Sequence, residues 1–125
     1  MNTPYRILVT GSRAWTDALP IRQALAATAA AHTPAVVVHG ACPSGADLIA
    51  AHWVEECGAH FGATAEPHPA LWQINGKRAG LIRNQLMVNL GADLCLAFIR
   101  DGSRGASHTA RLATAAGIPV RRWSI

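Results

Sequence analysis

Five short runs rich in β-branched and aliphatic residues alternate along this chain with longer segments of helical spacing. That alternation restricts the possible folds more than any other feature. Ala35–His39 (AVVVH) is the sharpest run, nearly all apolar, as expected of a strand covered on both faces. Tyr5–Thr10 (YRILVT), a weaker stretch near Ala63–Glu66, Asp93–Ile99 and Ile118–Trp123 read as the other four strands. Thr16 or Asp17 can cap the first helix, Pro20 is tolerated in its first turn, and Ile21, Leu25 and Thr28 supply its buried face. Ser44 or Asp47 opens a second helix that runs to about Cys57 and is ended by Gly58. Lys77–Leu90 reads as the third, with Ile82, Leu86 and Leu90 at helical spacing and Gly91 as its stop. Ser107–Ala116 is the fourth, and Pro67–Gly76, with two prolines and a tryptophan, reads as an ordered loop.

Strands alternating with helices of this length build βαβ units and a mostly parallel sheet. The expected fold is therefore α/β: a single three-layer domain over residues 1–125 with five strands in the order 3-2-1-4-5, its crossovers right-handed. At 125 residues such a domain holds a real core without disulfide or metal staples. Strands one and four would then be neighbours where the winding reverses. Ligands of open α/β sheets bind there, outside the carboxyl ends of the strands.

What stands at those two strand ends is informative. Arg6–Thr10 runs into Gly11-Ser12-Arg13, and Leu94–Ile99 runs into Asp101–Ala113, which contains Gly102-Ser103-Arg104-Gly105. A strand, a glycine-bearing turn and a helix start form an anion site, because glycines admit a phosphate closely and free N–H groups of the first helical turn point at it. An arginine fork beside those donors suits a phosphate. The two turns would face each other across one crevice. Net charge agrees with an anionic partner, at +4 formally, although it arises from few acids (seven) rather than from a dense basic run.

Three further clusters bear on the same edge. In His39-Gly-Ala-Cys-Pro-Ser-Gly-Ala-Asp47, Gly40 and Gly45 bracket a strand-to-helix turn, with Ser44 and Asp47 at its helical end. Those two either cap the helix or, for Asp47, accept from ribose hydroxyls. The paired Gly-Lys-Ser/Thr of a Walker loop is missing. Trp72, after Pro69, either plugs the loop or stacks on a base. Arg83 and Asn84 lie on the third helix, and Arg83 can point at the carboxyl edge of the sheet.

Other chemistries fit poorly. His39-x-x-Cys42 and Cys57-x-x-His60 look like paired zinc knuckles, but a helix between them separates the pairs by roughly 20 Å, so no metal is expected. No cofactor is expected either. A Ser44, His39, Asp47 triad lacks the Gly-x-Ser-x-Gly elbow and shares one short turn. Half the residues are hydrophobic and 14% charged, against disorder. The odd, widely spaced Cys42, Cys57 and Cys95 suit a reducing cytoplasm. No apolar run approaches the roughly 20 residues that span a bilayer, so no membrane partner is expected. The start MNTPYRILV lacks the apolar core of a signal peptide.

Together the motifs resemble the YspA-like branch of the SLOG superfamily, related to the Lonely Guy proteins and DprA. The resemblance rests on Val9-Thr-Gly-Ser-Arg-Ala-Trp15, His39-Gly-Ala, Ser44-Gly-Ala-Asp47, Pro69 with Trp72, Ala79-Gly80 through Arg83-Asn84-Gln85 to Met87, Gly102 through Gly105, and Ala116-Gly-Ile-Pro-Val120. It implies a Rossmann-like fold that binds a nucleotide or nucleotide-derived ligand, as a homo-oligomer. Lonely Guy enzymes cleave a base from a nucleoside monophosphate with a Pro-Gly-Gly-x-Gly-Thr-x-x-Glu pattern and an upstream arginine. Arg83 matches the arginine, and Gly102 and Gly105 match two glycines. Ser103 replaces the second glycine, and Thr109 stands in the place of the glutamate. A carboxylate there would stabilise the cation-like state of glycosidic cleavage, and threonine cannot ionise.

Three functions compete on this reading. The first is a nucleotide-binding module, such as a sensor of a signalling nucleotide. The second is a hydrolase of an N-glycosidic or phosphate bond, with Arg83 and Asp47 as candidate catalytic residues. The third is DprA-like nucleic-acid binding, ranked last because the basic residues are scattered along the chain.

Overall fold

The computed structural model describes residues 3–125. Its five strands are β1 (Tyr5–Gly11), β2 (Ala35–His39), β3 (Ala63–Pro67), β4 (Leu94–Ile99) and β5 (Val120–Ser124). Its helices are α1 (Ala18–Ala31), α2 (Gly45–Cys57), the single turn α3 (Trp72–Asn75), α4 (Ala79–Asn89) and α5 (Arg104–Ala115), with short 3-10 turns at Gly58–Phe61 and Gly76–Arg78. All four strand pairings are parallel, and the order is β3-β2-β1-β4-β5. The expected architecture and strand order are those observed.

Strand alternation sorts the core into two layers. Ile7, Val9, Val37, Leu96 and Phe98 face α1 and α2, where Ile21, Leu25, Ala50 and Trp53 meet them. Leu8, Val36, Val38 and Cys95 face the other way, toward Met87 and Val88 of α4 and Ala113 of α5. Farther along β4, Ala97 and Ile99 pack on Ala106 and Ala110. Alanines on α5 bring that helix close to the sheet, and its N-terminus ends beside the carboxyl end of β4.

Several local expectations need correction. The 67–76 stretch is not wholly loop, because Trp72–Asn75 closes a helical turn. α4 starts at Ala79 rather than Lys77, after the 3-10 turn. α5 starts at Arg104, three residues earlier than expected, since Ser103 turns the chain into the helix with φ −41° and ψ 125°. The first helix is capped by Asp17, whose Oδ1 accepts from the Leu19 N–H at 3.1 Å, whereas Ser44 precedes α2 without any side-chain capping bond. The largest departure concerns α4. Ile82, Leu86 and Leu90 lie outward, and the buried face is Ala79, Arg83, Asn84, Met87 and Val88. Two polar residues take inward places there because they serve the sheet's carboxyl edge, and the aliphatic stripe is displaced to the surface.

Phe98 ties the core to that edge. Its ring stacks on Trp123 (centroids 4.6 Å apart) and meets Trp15 edge-on at 5.6 Å, while its carbonyl accepts from the Ser12 N–H at 2.9 Å. Phe98→Ala should therefore cost about 3–5 kcal/mol, the usual range for emptying an aromatic core site. Urea denaturation measures it, and a loss below about 1 kcal/mol would mean that the aromatic cluster is not the support described.

Candidate functional site

A cleft of about 500 Å³ opens at the carboxyl edge, between the ends of β1 and β4. Its floor is the chain from Val9 to Ala14, and one wall is Gly80, Arg83, Asn84 and Met87 of α4. The opposite wall comes from Arg100, Asp101, Ser103, Gly105 and Ala106, with Cys42, Asp47 and Lys77 completing the lining. Both Gly-Ser-Arg turns reach this region, but not symmetrically.

The second turn is a tight reversal. Asp101 (φ 53°) and Gly102 (φ 63°) are both left-handed, and the Ser103 N–H donates to Arg100 O at 3.2 Å, the geometry of a type I′ turn. The first backbone bond of α5 runs from the Ser107 N–H to Ser103 O at 3.0 Å. The N–H groups of Arg104, Gly105 and Ala106 therefore have no intrahelical acceptor, at the positive end of the helix dipole. Ser103, Gly105 and Ala106 line the cleft, whereas Gly102 and the Arg104 side chain lie outside it. Gly105 is helical, and a Cβ built on it would meet nothing within 4 Å.

The first turn is mostly structural. Ser12 is buried, its hydroxyl accepts from the Arg100 N–H at 2.7 Å and donates to Arg100 O at 3.3 Å. Arg13 is exposed and lies over the Trp72 ring, 5.7 Å from its centroid. Trp72 itself is 49% exposed, so it does not plug the core but stands at the rim with Arg13. Arg100 reaches back to Ala14 O at 3.1 Å.

Arg83 is the clamp of the β2 and β3 ends. Its guanidinium donates to Gly40 O, to His68 O at 3.2 Å and, through Nε, to Asn84 Oδ1 at 2.7 Å. Gly40 is glycine for this reason, because a side chain there would run into Arg83 and the Asp47 carboxylate. Gly45, at φ 71°, backs onto Ser12 and Arg13 main chain in the same way. Ser44 and Gly45 do not line the cleft.

Asp47 is only 7% exposed, with one long bond from the Cys42 N–H at 3.4 Å and no ion pair among the described residues. A buried carboxylate so weakly compensated is costly unless something else donates to it. Thr10 and Asn84 resemble it: both are buried at the cleft, and neither the Thr10 hydroxyl nor Asn84 Nδ2 makes a hydrogen bond within the described residues. Thr10 and Arg100 were not singled out from the sequence. Their signal was position alone, at the carboxyl ends of the two strands flanking the winding reversal. Thr109 is fully buried, and its hydroxyl donates to Gly105 O at 3.1 Å. It sits in the core face of α5 and offers the cleft nothing.

Titratable neighbours are set by burial. Desolvation lowers the pKa of His39 below 6.5, opposed by Asp47 and reinforced by His68 and Arg83. Its Nδ1 accepts from the Ala41 N–H at 3.0 Å, consistent with a neutral ring. Burial first, then the Asp47 carboxylate, raise the Cys42 thiol, so it is protonated at neutral pH and a poor nucleophile. Beneath the clamp, Arg6 and His68 bracket Glu66 (2.9 and 2.8 Å), and Arg6 first, then His68, hold its carboxyl down at about 2.

His39 has a folded pKa below its unfolded one, so the unfolded state takes up the proton first and stability falls as pH drops below about 6.5. Glu66 has a depressed pKa, so its contribution is present above 4.5 and lost as pH falls toward about 2. Its side chain is 35% exposed, and solvent screening keeps the second step small. Urea midpoints should decline between pH 7 and 5 and again below 4.5. Replacing His39 by Gln should flatten the first decline, and a wild-type midpoint constant from pH 8 to 5 would contradict a neutral buried His39.

The model of the YspA, cpYpsA-related SLOG family matches residues 5–73. The Gene 61 protein of Mycobacterium phage D29 is 46% identical over 120 residues, covering 92% of this chain and 93% of the phage protein. No solved structure matches the chain significantly. Among the described residues, no helix is long and apolar enough to cross a membrane.

Proposed function

Because the chain belongs to the YspA, cpYpsA-related SLOG family, we propose that it binds a nucleotide or nucleotide-derived ligand at the carboxyl edge of its sheet, as a recognition module such as a sensor of a signalling nucleotide. The observation that carries this reading is the start of α5, whose first three N–H groups have no intrahelical acceptor and whose Ser103, Gly105 and Ala106 line a cleft that also holds Lys77 and Arg100, with Arg13 at its lip. Phosphate fits there. Asp47 accepts from ribose hydroxyls, Thr10 and Asn84 of the same cleft donate to them, and the Arg13–Trp72 pair offers the base a stacking surface.

A hydrolase reading draws on Asp47 alone, since Thr109 cannot act as an acid and Arg83 is engaged with main-chain carbonyls. Turnover of nucleoside monophosphates or NAD derivatives, followed by chromatography and abolished in Asp47→Ala, would replace binding by catalysis as the leading function. The three free cysteines fit a reducing cytoplasm.

Thermal shift with nucleotides, cyclic dinucleotides and ADP-ribose derivatives tests the main reading. A ligand at a hundred times its Kd stabilises by about 2.7 kcal/mol, a rise of several degrees. Folded protein that none of them stabilises would sink it. Gly105→Ala sharpens the test. Alanine should add about 0.5–1 kcal/mol to the free protein, since glycine is the poorer helix former and the Cβ has room. It should also abolish the ligand-induced shift by crowding the phosphate. Gain of stability with undiminished binding would place the phosphate elsewhere.

Self-association belongs to the same reading. The outward side of α4 and its C-cap carry Ile82, Leu86 and Leu90 with Gln85 and Asn89, and no charge. In a chain of net charge +4, that is a face two copies can bring together without like charges meeting. Leu86→Lys should convert a dimer to a monomer in analytical ultracentrifugation with the fold retained. A wild-type monomer at tens of micromolar would rule the dimer out.

A further inference from the structure

We propose a second phosphate subsite in the groove between α4 and α5, which takes the next phosphate of a phosphodiester-linked ligand whose first phosphate sits at the α5 N-terminus. The inference rests on the nucleotide reading above and extends it from one phosphate to two. The groove encloses about 470 Å³ and is lined by Leu81 of α4 and by Arg104, Ser107, His108 and Arg111 of α5. Leu81 and Gly105 border both this groove and the main cleft, so the two spaces adjoin across Gly105.

Three observations point to an anion there. Arg104, His108 and Arg111 fall at i, i+4 and i+7 and share one face of α5, a helix without a single acidic residue. Neither arginine enters an ion pair among the described residues. Arg104 is moreover the first residue of the helix, where a cation opposes the dipole. Such a row is a solvated surface in many proteins, but here its first cation opposes the dipole of the helix that carries it. A bound anion converts that repulsion into an attraction. Second, His108 Nδ1 is shielded from solvent and has no hydrogen-bond partner among the described residues. A buried ring nitrogen left unpaired costs free energy that a phosphate in the groove can relieve after rotation of the ring. Third, Gly105 occupies a helical position with open space around its missing Cβ. Nothing in the protein requires glycine at the lip between the two spaces, whereas a ligand crossing that lip does.

Spacing limits the ligand. From Gly105 to Arg111 the helix advances about 9 Å. Two phosphates that share one bridging oxygen are too close together to occupy both positions. Phosphates on successive nucleotides are not, so the site suits a dinucleotide or a short single strand.

Isothermal titration with AMP, ADP, the dinucleotide pApA and the hexanucleotide p(A)6 tests this in wild type and in the double variant His108→Gln/Arg111→Gln. The expected result is pApA binding at least ten times tighter than AMP or ADP, with that advantage lost in the variant while AMP binding changes less than twofold. A strand as the natural ligand adds a further gain for p(A)6 with a steeper salt dependence, and a free dinucleotide gives no further gain. AMP binding with pApA no tighter, or an advantage that survives in the variant, overturns the second subsite and leaves the first reading standing. Absence of binding by all four in folded protein overturns the second subsite, while the first reading falls only if the whole thermal-shift panel fails as well.

Discussion

Ser12 is the point on which the rest of this structure depends. Its N–H donates to Phe98 O at the end of β4, its hydroxyl pairs with both main-chain groups of Arg100, and its carbonyl accepts from Trp15 and from Ala46 at the start of α2. One small residue thus fixes three chain segments against each other where the direction of winding reverses. A larger side chain could not occupy the place, and a residue without a hydroxyl would leave the Arg100 main chain unpaired. Everything that lines the cleft on the β4 side inherits its position from that joint.

The electrostatics divide the cations into two groups. Arg6 and Arg83 are internal fasteners, satisfied by Glu66 and by carbonyl groups. Arg13, Lys77, Arg100 and Arg104 gather around one end of the sheet, with Asp47 and Asp101 as the acids beside them. The basic residues that look scattered along the chain are thus brought together by the βα connections. The formal charge of +4 understates the local field, because Glu55 and Glu56 lie at the far end of α2.

The fold was legible because period and punctuation agree: Ala35–His39 has the apolar run of a covered strand, and Gly58, Gly91 and Gly117 stand just past α2, α4 and α5. The place of the cleft was legible where it depends on strand ends and helix starts, as at Ser103–Ala106. It was obscured wherever a polar side chain is used by the protein itself. Ser12 and Arg83 read as ligand contacts, since spacing does not reveal that a carbonyl or an N–H from a distant segment already holds them. Helical periodicity misled at α4 for the same reason: Ile82, Leu86 and Leu90 obey the rule for a buried stripe, yet the inward places go to Arg83 and Asn84. Hydrophobic spacing reports what can be buried, not what the other chain segments need.

Gly40 and Arg83 illustrate what such internal use means for variation. The glycine leaves the space the guanidinium fills, and the guanidinium holds the carbonyl of that same glycine together with that of His68. Neither position has a good alternative while the other stays as it is. A library altering one residue at a time would score both as immovable, and related sequences should exchange them only as a pair, with a new tether for the two strand ends.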